Sequence, residues 1–353
     1  MRRHLLLQDL LLILLLVLAV EAKASGPAKS GVTAQVWAKS IIAQMTMEEK
    51  ADFLCGSSCP LNDALKASAS TKEISRLGVR PMVTSDGPAG LRILTLRPTD
   101  IETYYTTAFP IGTSLASTWD VDMVGKIGEA FGQELKEYGV DILLGPGVNI
   151  HRSPLCGRNF EYYSEDPYVT GNIAAAMING VQSNGVGTSI KHFAANNQET
   201  NRHSINEIIS ERTMREIYLR GFEIAIKKSH PWTVMSSYNK VDGSFTCERH
   251  DLLTDILRDE WGYKGFVMSD WDGGVTGNNR SDVVAQISSG NDLLMPGYDE
   301  QREDLLKAMK SGQLKMADVD RALEHILGIV YMSPAQNKYV FSNNPDLKAH
   351  VLF

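Results

Sequence analysis

The chain has 353 residues, 43% of them hydrophobic and 22% charged, with a formal net charge of −7. That balance excludes a disordered, collagenous or coiled-coil chain, and the acidic sign argues against nucleic acid or an anionic membrane as partner. The length suits one large domain or two small ones.

In chain order, Arg2 and Arg3 precede an apolar run from Leu10 to Val20, and Ala22-Lys23-Ala24 offers a small-x-small cleavage site. This is the layout of a secretory signal peptide, and the run falls short of the ~20 apolar residues of a spanning helix. Residues 1–24 are therefore expected to be removed. The remainder is expected to be secreted or periplasmic and free of the membrane. A leader and helix occupy 25–45, with the helical pattern over 32–45. A second helix starts at Met47, where Thr46 and Glu49 have the spacing of a capping box. The cysteines Cys55, Cys59, Cys156 and Cys247 lack the short His or Cys pairs of a zinc site, so structural or free thiols are expected, with the pairing open.

From there short aliphatic or β-branched runs alternate with amphipathic stretches. Strands are predicted over 79–84, 111–115, 140–144, 187–191, 233–237, 265–269 and 292–295. Helices are predicted over 121–138, 168–184, 210–227, 252–260, 301–311 and 317–331. Apolar runs without strict alternation imply strands covered on both faces, and helical crossovers between them imply parallel pairing. The expected fold is α/β, a (β/α)8-type TIM barrel over 46–332 with one strand irregular or missing. The rival is an open doubly wound sheet, but no GxGxxG follows any strand.

Barrel chemistry gathers at the C-terminal ends of the strands. There the pattern places Asp86, then Asn149, His151 and Arg152, then Lys191 and His192, then Ser236 and Tyr238, then Asp270 and Trp271. Asp270 directly follows a buried strand and reads either as a reacting carboxylate or as a helix N-cap. Lys191 reads as a Schiff-base amine or as a charged donor to hydroxyls. Asp86, held by the Gly87-Pro88 turn, reads as an aimed acceptor or a plain turn residue. The long loop from Asn149 to Asp166 mixes arginine, carboxylates and aromatics, as a polyol site does. No HxH, HExxH, GxSxG or Walker motif occurs, so neither a metal nor a cofactor is expected.

Four segments carry a resemblance. They are Asp86-Gly87-Pro88-Ala89-Gly90-Leu91-Arg92; Gly157-Arg158 with Tyr163-Ser164-Glu165-Asp166-Pro167; Lys191-His192-Phe193-Ala194-Ala195-Asn196-Asn197-Gln198-Glu199; and Ile256-Leu257-Arg258-Asp259-Glu260 through Gly265-Phe266-Val267-Met268-Ser269-Asp270 to Gly273. In this order, over about 46–296, they resemble the family-three glycoside hydrolases, in particular the secreted β-glucosidases.

The resemblance implies a retaining exo-hydrolase of terminal β-linked sugars, β-glucosides or oligosaccharides. Asp270 would form the covalent glycosyl-enzyme. Asp86, Arg158, Lys191 and His192 would hold sugar hydroxyls. Met235 and Tyr238 would line the pocket, and Trp271 would face the leaving group. Arg152 would be structural support. Retention needs a second carboxyl group about 5–5.5 Å from the first. In the β-glucosidases that group comes from a later α/β-sandwich domain. Residues 333–353, with Asn344-Pro345-Asp346-Leu347-Lys348-Ala349-His350, resemble the linker towards it. Hence weak or no turnover by this chain is expected, together with self-association through the face that domain would cover. The alternatives are a non-catalytic carbohydrate-binding barrel, a Schiff-base aldolase through Lys191, and a single-domain β-N-acetylglucosaminidase-like enzyme using His203. No Asp closely precedes His203 to orient it.

Overall fold

A computed structural model describes residues 32–57, 68–95, 103–273, 275–276 and 279–336. The expected signal peptide, Cys59 and the linker motif 344–350 lie outside these. The capping box at Thr46 is formed: its hydroxyl accepts from Glu49 N, and the Glu49 carboxylate accepts from Thr46 N at 2.8 Å. It opens the helix Met47–Phe53, which follows Ala34–Ile42.

Five strands run parallel in the order Val83–Asp86, Ile142–Leu144, Gly187–Phe193, Thr233–Ser236 and Phe266–Met268. Met268 then bridges to Leu293, Leu294 to Cys55, and Ser57 to Ser70. The pair Ala69–Ser70 lies antiparallel to Val83–Asp86. The described segments thus close into a barrel in which 69–70 runs against its neighbours. The sequence pattern expects one irregular or missing strand, whereas two closing segments, 55–57 and 69–70, stand outside the predicted strands.

Both faces of the strands are covered. Ile142 and Leu144 belong to the apolar cluster that includes the helices Ala34–Ile42, Met47–Phe53, Asp299–Ser311 and Met316–Met332. Leu143 between them faces the helices Val121–Glu137, Pro167–Gln182 and Arg220–Ser229. This is why the strands read as apolar runs. Asp120 and Asp166 cap two of these helices through backbone N–H groups, the latter just before Pro167. Val121–Glu137 and Pro167–Gln182 pack closely because a Cβ at Gly180 would stand 2.2 Å from Gly125 O.

One predicted strand is corrected. Residues 112–115 lie in the helix Gly112–Ser117, and Ile111 before it has extended backbone. The apolar run there is too short to separate strand from buried helix by period alone. The segments at 55–57 and 69–70 went unread because each contributes only one or two ladder residues.

Asp292, wholly buried, closes the barrel beside Phe266–Met268. Its Oδ2 accepts from Arg258 Nη2 at 2.6 Å and from Val267 N at 2.9 Å, and its Oδ1 lies 3.0 Å from His325 Nδ1. Arg258 Nη1 also holds Gly265 O at 2.9 Å. Burial opposes ionisation of Asp292, but Arg258 and His325 outweigh it and hold the carboxyl below its ordinary range. Because the folded value is depressed, the stabilisation is present above the unfolded value and is lost as pH falls. Asp292→Ala should lower stability by about 3–5 kcal/mol in denaturant unfolding, since it strands Arg258. Asp292→Asn should cost less and flatten the acid side of the stability profile. A loss below about 1 kcal/mol for the alanine variant would show that the pair carries no such weight.

Candidate active site

The polar residues converge because each follows or ends a parallel strand at the same mouth of the barrel. Asp86 is the last residue of Val83–Asp86, a strand that ends two residues later than the predicted 79–84. Lys191 and His192 lie near the end of Gly187–Phe193. Consecutive strand residues ordinarily point to opposite faces, yet both line one cavity. The register against Thr233–Ser236 shifts between Ile190 and Phe193, and such a bulge re-aims side chains. Asn149 braces the turn: its Oδ1 accepts from His192 N and its Nδ2 donates to His192 O, both at 2.9 Å.

The cavity measures about 540 Å³. Asp86, Arg158, Lys191, His192, Met235, Tyr238, Asp270 and Trp271 all line it, so the structure brings together the residues expected to react with or bind the sugar. Ser68, Arg92, Ile93, Leu94, Leu144 and Arg202 complete the described lining. Arg92 and Arg202 stood in or beside the quoted motifs, and their charge in Gly- and Asn-rich loops was the available signal. Ser68 had none, since its strand neighbour was not recognised. His151 and Ser236 lie outside the cavity. So does Arg152, which pairs with Glu207 at 2.9 Å. Ser236 bonds Asn291 at 3.1 Å.

Charge within the cavity is matched. Lys191 is 3% exposed, and its Nζ donates to Asp86 Oδ1 at 2.7 Å. Burial alone would raise the Asp86 carboxyl, but the Lys191 ammonium outweighs it and holds Asp86 below its usual range. Arg158 is tied to Glu161, and Arg202 donates to Glu199 at 2.8 Å. Asp270 is 6% exposed. Its Oδ1 accepts from Trp271 N at 2.7 Å, while its Oδ2 has no hydrogen-bond partner and lies 3.6 Å from His192 Nε2. Burial pushes the Asp270 carboxyl up to about 6, and Lys191, the Tyr238 hydroxyl, Arg158 and Trp271 N–H keep it from rising further. It is therefore a buried carboxylate, mostly ionised at neutral pH, with one free oxygen. His192 is depressed well below its ordinary value by burial and by Arg158, Lys191 and Arg202, so the imidazole is neutral.

Tyr238 lies between two groups from the 199–204 loop. The Arg202 guanidinium is 4.6 Å from its ring centroid, and the His203 ring is 4.2 Å away. A larger neighbouring cavity, about 1060 Å³, shares Arg202 and includes Glu199, His203 and Asp272. His203 thus stands beside the first cavity rather than in its described lining, with Nδ1 unpartnered and the ring next to Arg202. Cys55 and Cys247 are buried free thiols pushed up to about 12 by burial, which makes them unreactive. Cys156 is free as well. No cluster of metal-ligating side chains occurs among the described residues.

Residues 55–329 match the glycosyl hydrolase family 3 N terminal domain. The thermostable β-glucosidase B of Acetivibrio thermocellus is 45% identical over 307 residues, covering 85% of this chain and 38% of that protein. The exo-α-(1→6)-L-arabinopyranosidase of Bifidobacterium longum is 41% identical over 294 residues, covering 82% and 37%. The β-glucosidase 3B of Thermotoga neapolitana, solved in complex with α-D-glucose, superposes with a TM-score of 0.84 at 47% identity, covering 89% of this chain and 45% of that one. The chain spans less than half the length of each of these relatives. On the extent of the domain match and the barrel that carries it, the chain belongs to glycosyl hydrolase family 3.

Proposed function

We propose that the cavity binds the terminal sugar of a β-glucoside and that Asp270 attacks its anomeric carbon. The observation that carries this reading is the Asp270 carboxylate itself. It is buried, has one unpartnered oxygen, and is flanked by Lys191, Arg158 and Tyr238 in a cavity of sugar size. In the first step Asp270 Oδ2 forms a bond to C1 while the bond from C1 to the leaving oxygen breaks with its electron pair. Water then attacks C1, the C1–Oδ2 bond breaks with its electron pair returning to the Asp270 carboxylate, and the proton that water loses passes to solvent or to the departed aglycone anion. Asp86 accepts from the sugar's hydroxyls, and Lys191, Arg158 and His192 donate to them. Met235 and Trp271 present apolar surface to the ring. The paired charges suit a neutral sugar.

The described cavity lining contains two carboxylates, Asp86 and Asp270. Asp86 is held ionised by Lys191 and is a poor acid. We therefore propose that the leaving group's proton comes from outside this lining, and that the chain alone turns over best those glycosides whose aglycone leaves as a stable anion. Losing an acid catalyst costs about 10²–10⁴-fold. A second reading, sugar binding without hydrolysis, draws on the same shortage of carboxylates. The relatives include a named β-glucosidase and a named arabinopyranosidase, so glucose is the first sugar to test rather than the last. Export through residues 1–24 is likewise a proposal, resting on the charged and apolar pattern there.

Incubation with a 2-fluoro-glucoside bearing a good leaving group should raise the intact mass by one fluoroglycosyl unit. Asp270→Asn should show no such rise while still binding glucose in calorimetry. Glucose binding without labelling of the unmodified chain would favour the binding-only reading. The rate of labelling should fall as pH drops through about 6, the Asp270 value, by about tenfold per unit below it, because the protonated carboxyl cannot attack. Tyr238→Phe removes a hydroxyl that favours the ionised form, so it should move that acid limb upward by about one pH unit. An unmoved or lowered limb would contradict the role given to Tyr238.

A further inference from the structure

We infer that Tyr162 is a positioning residue that fixes His192 in the tautomer with its proton on Nε2, making His192 a hydrogen-bond donor into the cavity. The inference rests on the sugar-binding reading of that cavity only for its consequence, not for its geometry. Tyr162 is the largest fully buried side chain among the described residues and does not line the cavity. Its hydroxyl lies 3.2 Å from His192 Nδ1, with the two rings edge to face at 6.1 Å.

Two contacts select the tautomer. The first is the phenol's own proton. Tyr162 Oη accepts from Asn196 Nδ2 at 3.4 Å, and its proton can go either to His192 Nδ1 at 3.2 Å or to Asn196 O at 3.5 Å. Nδ1 is the nearer acceptor. The second is the carboxylate on the other side of the ring. His192 Nε2 stands 3.6 Å from Asp270 Oδ2, an oxygen with no other partner. With the proton on Nδ1, the Nε2 lone pair would face the lone pairs of an anionic oxygen. With the proton on Nε2, an N–H dipole faces that oxygen instead. Both ends of the imidazole therefore favour the same tautomer. The charged and titratable groups around it are Arg158, Lys191 and Arg202, which disfavour an imidazolium, and Asp270 and Tyr162. The Tyr162 hydroxyl is itself far from ionising, mainly through burial.

The placement of Tyr162 is built into the backbone. A Cβ at Gly147 would stand 2.8 Å from Tyr162 Cε1, so the ring rests where only glycine leaves room. Arg158 lies 5.8 Å from the ring centroid and joins Glu161 next to it. The same short loop thus supplies a cavity arginine and the support of the cavity histidine. The consequence is chemical. A neutral imidazole with Nε2–H can donate to a sugar hydroxyl or to Asp270, but it cannot act as a base at Nε2.

Two-bond ¹H–¹⁵N correlation on ¹⁵N-histidine-labelled chain, with His192→Gln to assign the signal, reads the tautomer directly. The unmodified chain should show His192 neutral with its proton on Nε2 throughout pH 5–8. A proton on Nδ1, or an imidazolium in that range, overturns the inference. Tyr162→Phe removes only the hydroxyl. It should shift the His192 Nδ1 resonance and weaken glucose binding by about 5–10-fold, the worth of one hydrogen bond. Gly147→Ala should shift the same resonance by displacing the ring. An unshifted Nδ1 signal in a folded Tyr162→Phe chain also overturns it. If that variant does not fold, the tautomer of the unmodified chain decides. Failure of Asp270 to be labelled by the fluoro-glucoside would leave this result intact and count against the hydrolase reading alone.

Discussion

The ion pair between Lys191 and Asp86 is the interaction on which the mouth of the barrel depends. The Lys191 side chain is almost wholly buried and that of Asp86 is about a third exposed, and a buried ion is tolerated where it is paired and hydrogen-bonded. Together they join Val83–Asp86 to Gly187–Phe193 across the strand Ile142–Leu144 that lies between them. The Lys191 ammonium also acts on Asp270 from the same position, and it is the leading opponent of the burial that raises that carboxyl. One buried cation therefore favours the ionised form of two carboxylates. One of them is spoken for, and the other has an oxygen to spare.

The rest of the architecture serves that arrangement. Asp292, Arg258 and His325 hold Phe266–Met268 in place two residues before Asp270. Ser269 continues the clamp, with its Oγ accepting from Met295 N at 2.8 Å. Asn149 and Tyr162 hold His192 by its backbone and by its ring. Each reacting or binding side chain is thus fixed by a buried partner on a different segment. A carboxylate can stay dry and ionised only if its cations cannot drift away.

Much of this was legible in the sequence. Uninterrupted apolar runs announced strands covered on both faces. Asp86, Lys191 and Asp270 were recognisable because each sits where such a run ends. What stayed hidden had physical reasons. The segments 55–57 and 69–70 close the barrel through one or two ladder residues each, too few to show a period. Residues 111–115 look like a strand but begin a helix, because a short apolar run has no period to tell the two apart. The shared orientation of Lys191 and His192 depends on a register shift, which alternation along the strand argues against. The role of Tyr162 depends on a contact with a residue 30 positions away, and Asn149 reaches His192 across 43.

In the proposed reading the smaller cavity, not the larger one beside it, seats the sugar with its anomeric carbon against Asp270. A crystal structure of the chain after reaction with the 2-fluoro-glucoside tests this most directly. The account predicts density continuous from Asp270 Oδ2 to C1, with the sugar hydroxyls on Asp86, Lys191 and His192. A sugar seated against Glu199, His203 and Asp272, or bonded to any other carboxylate, would contradict it.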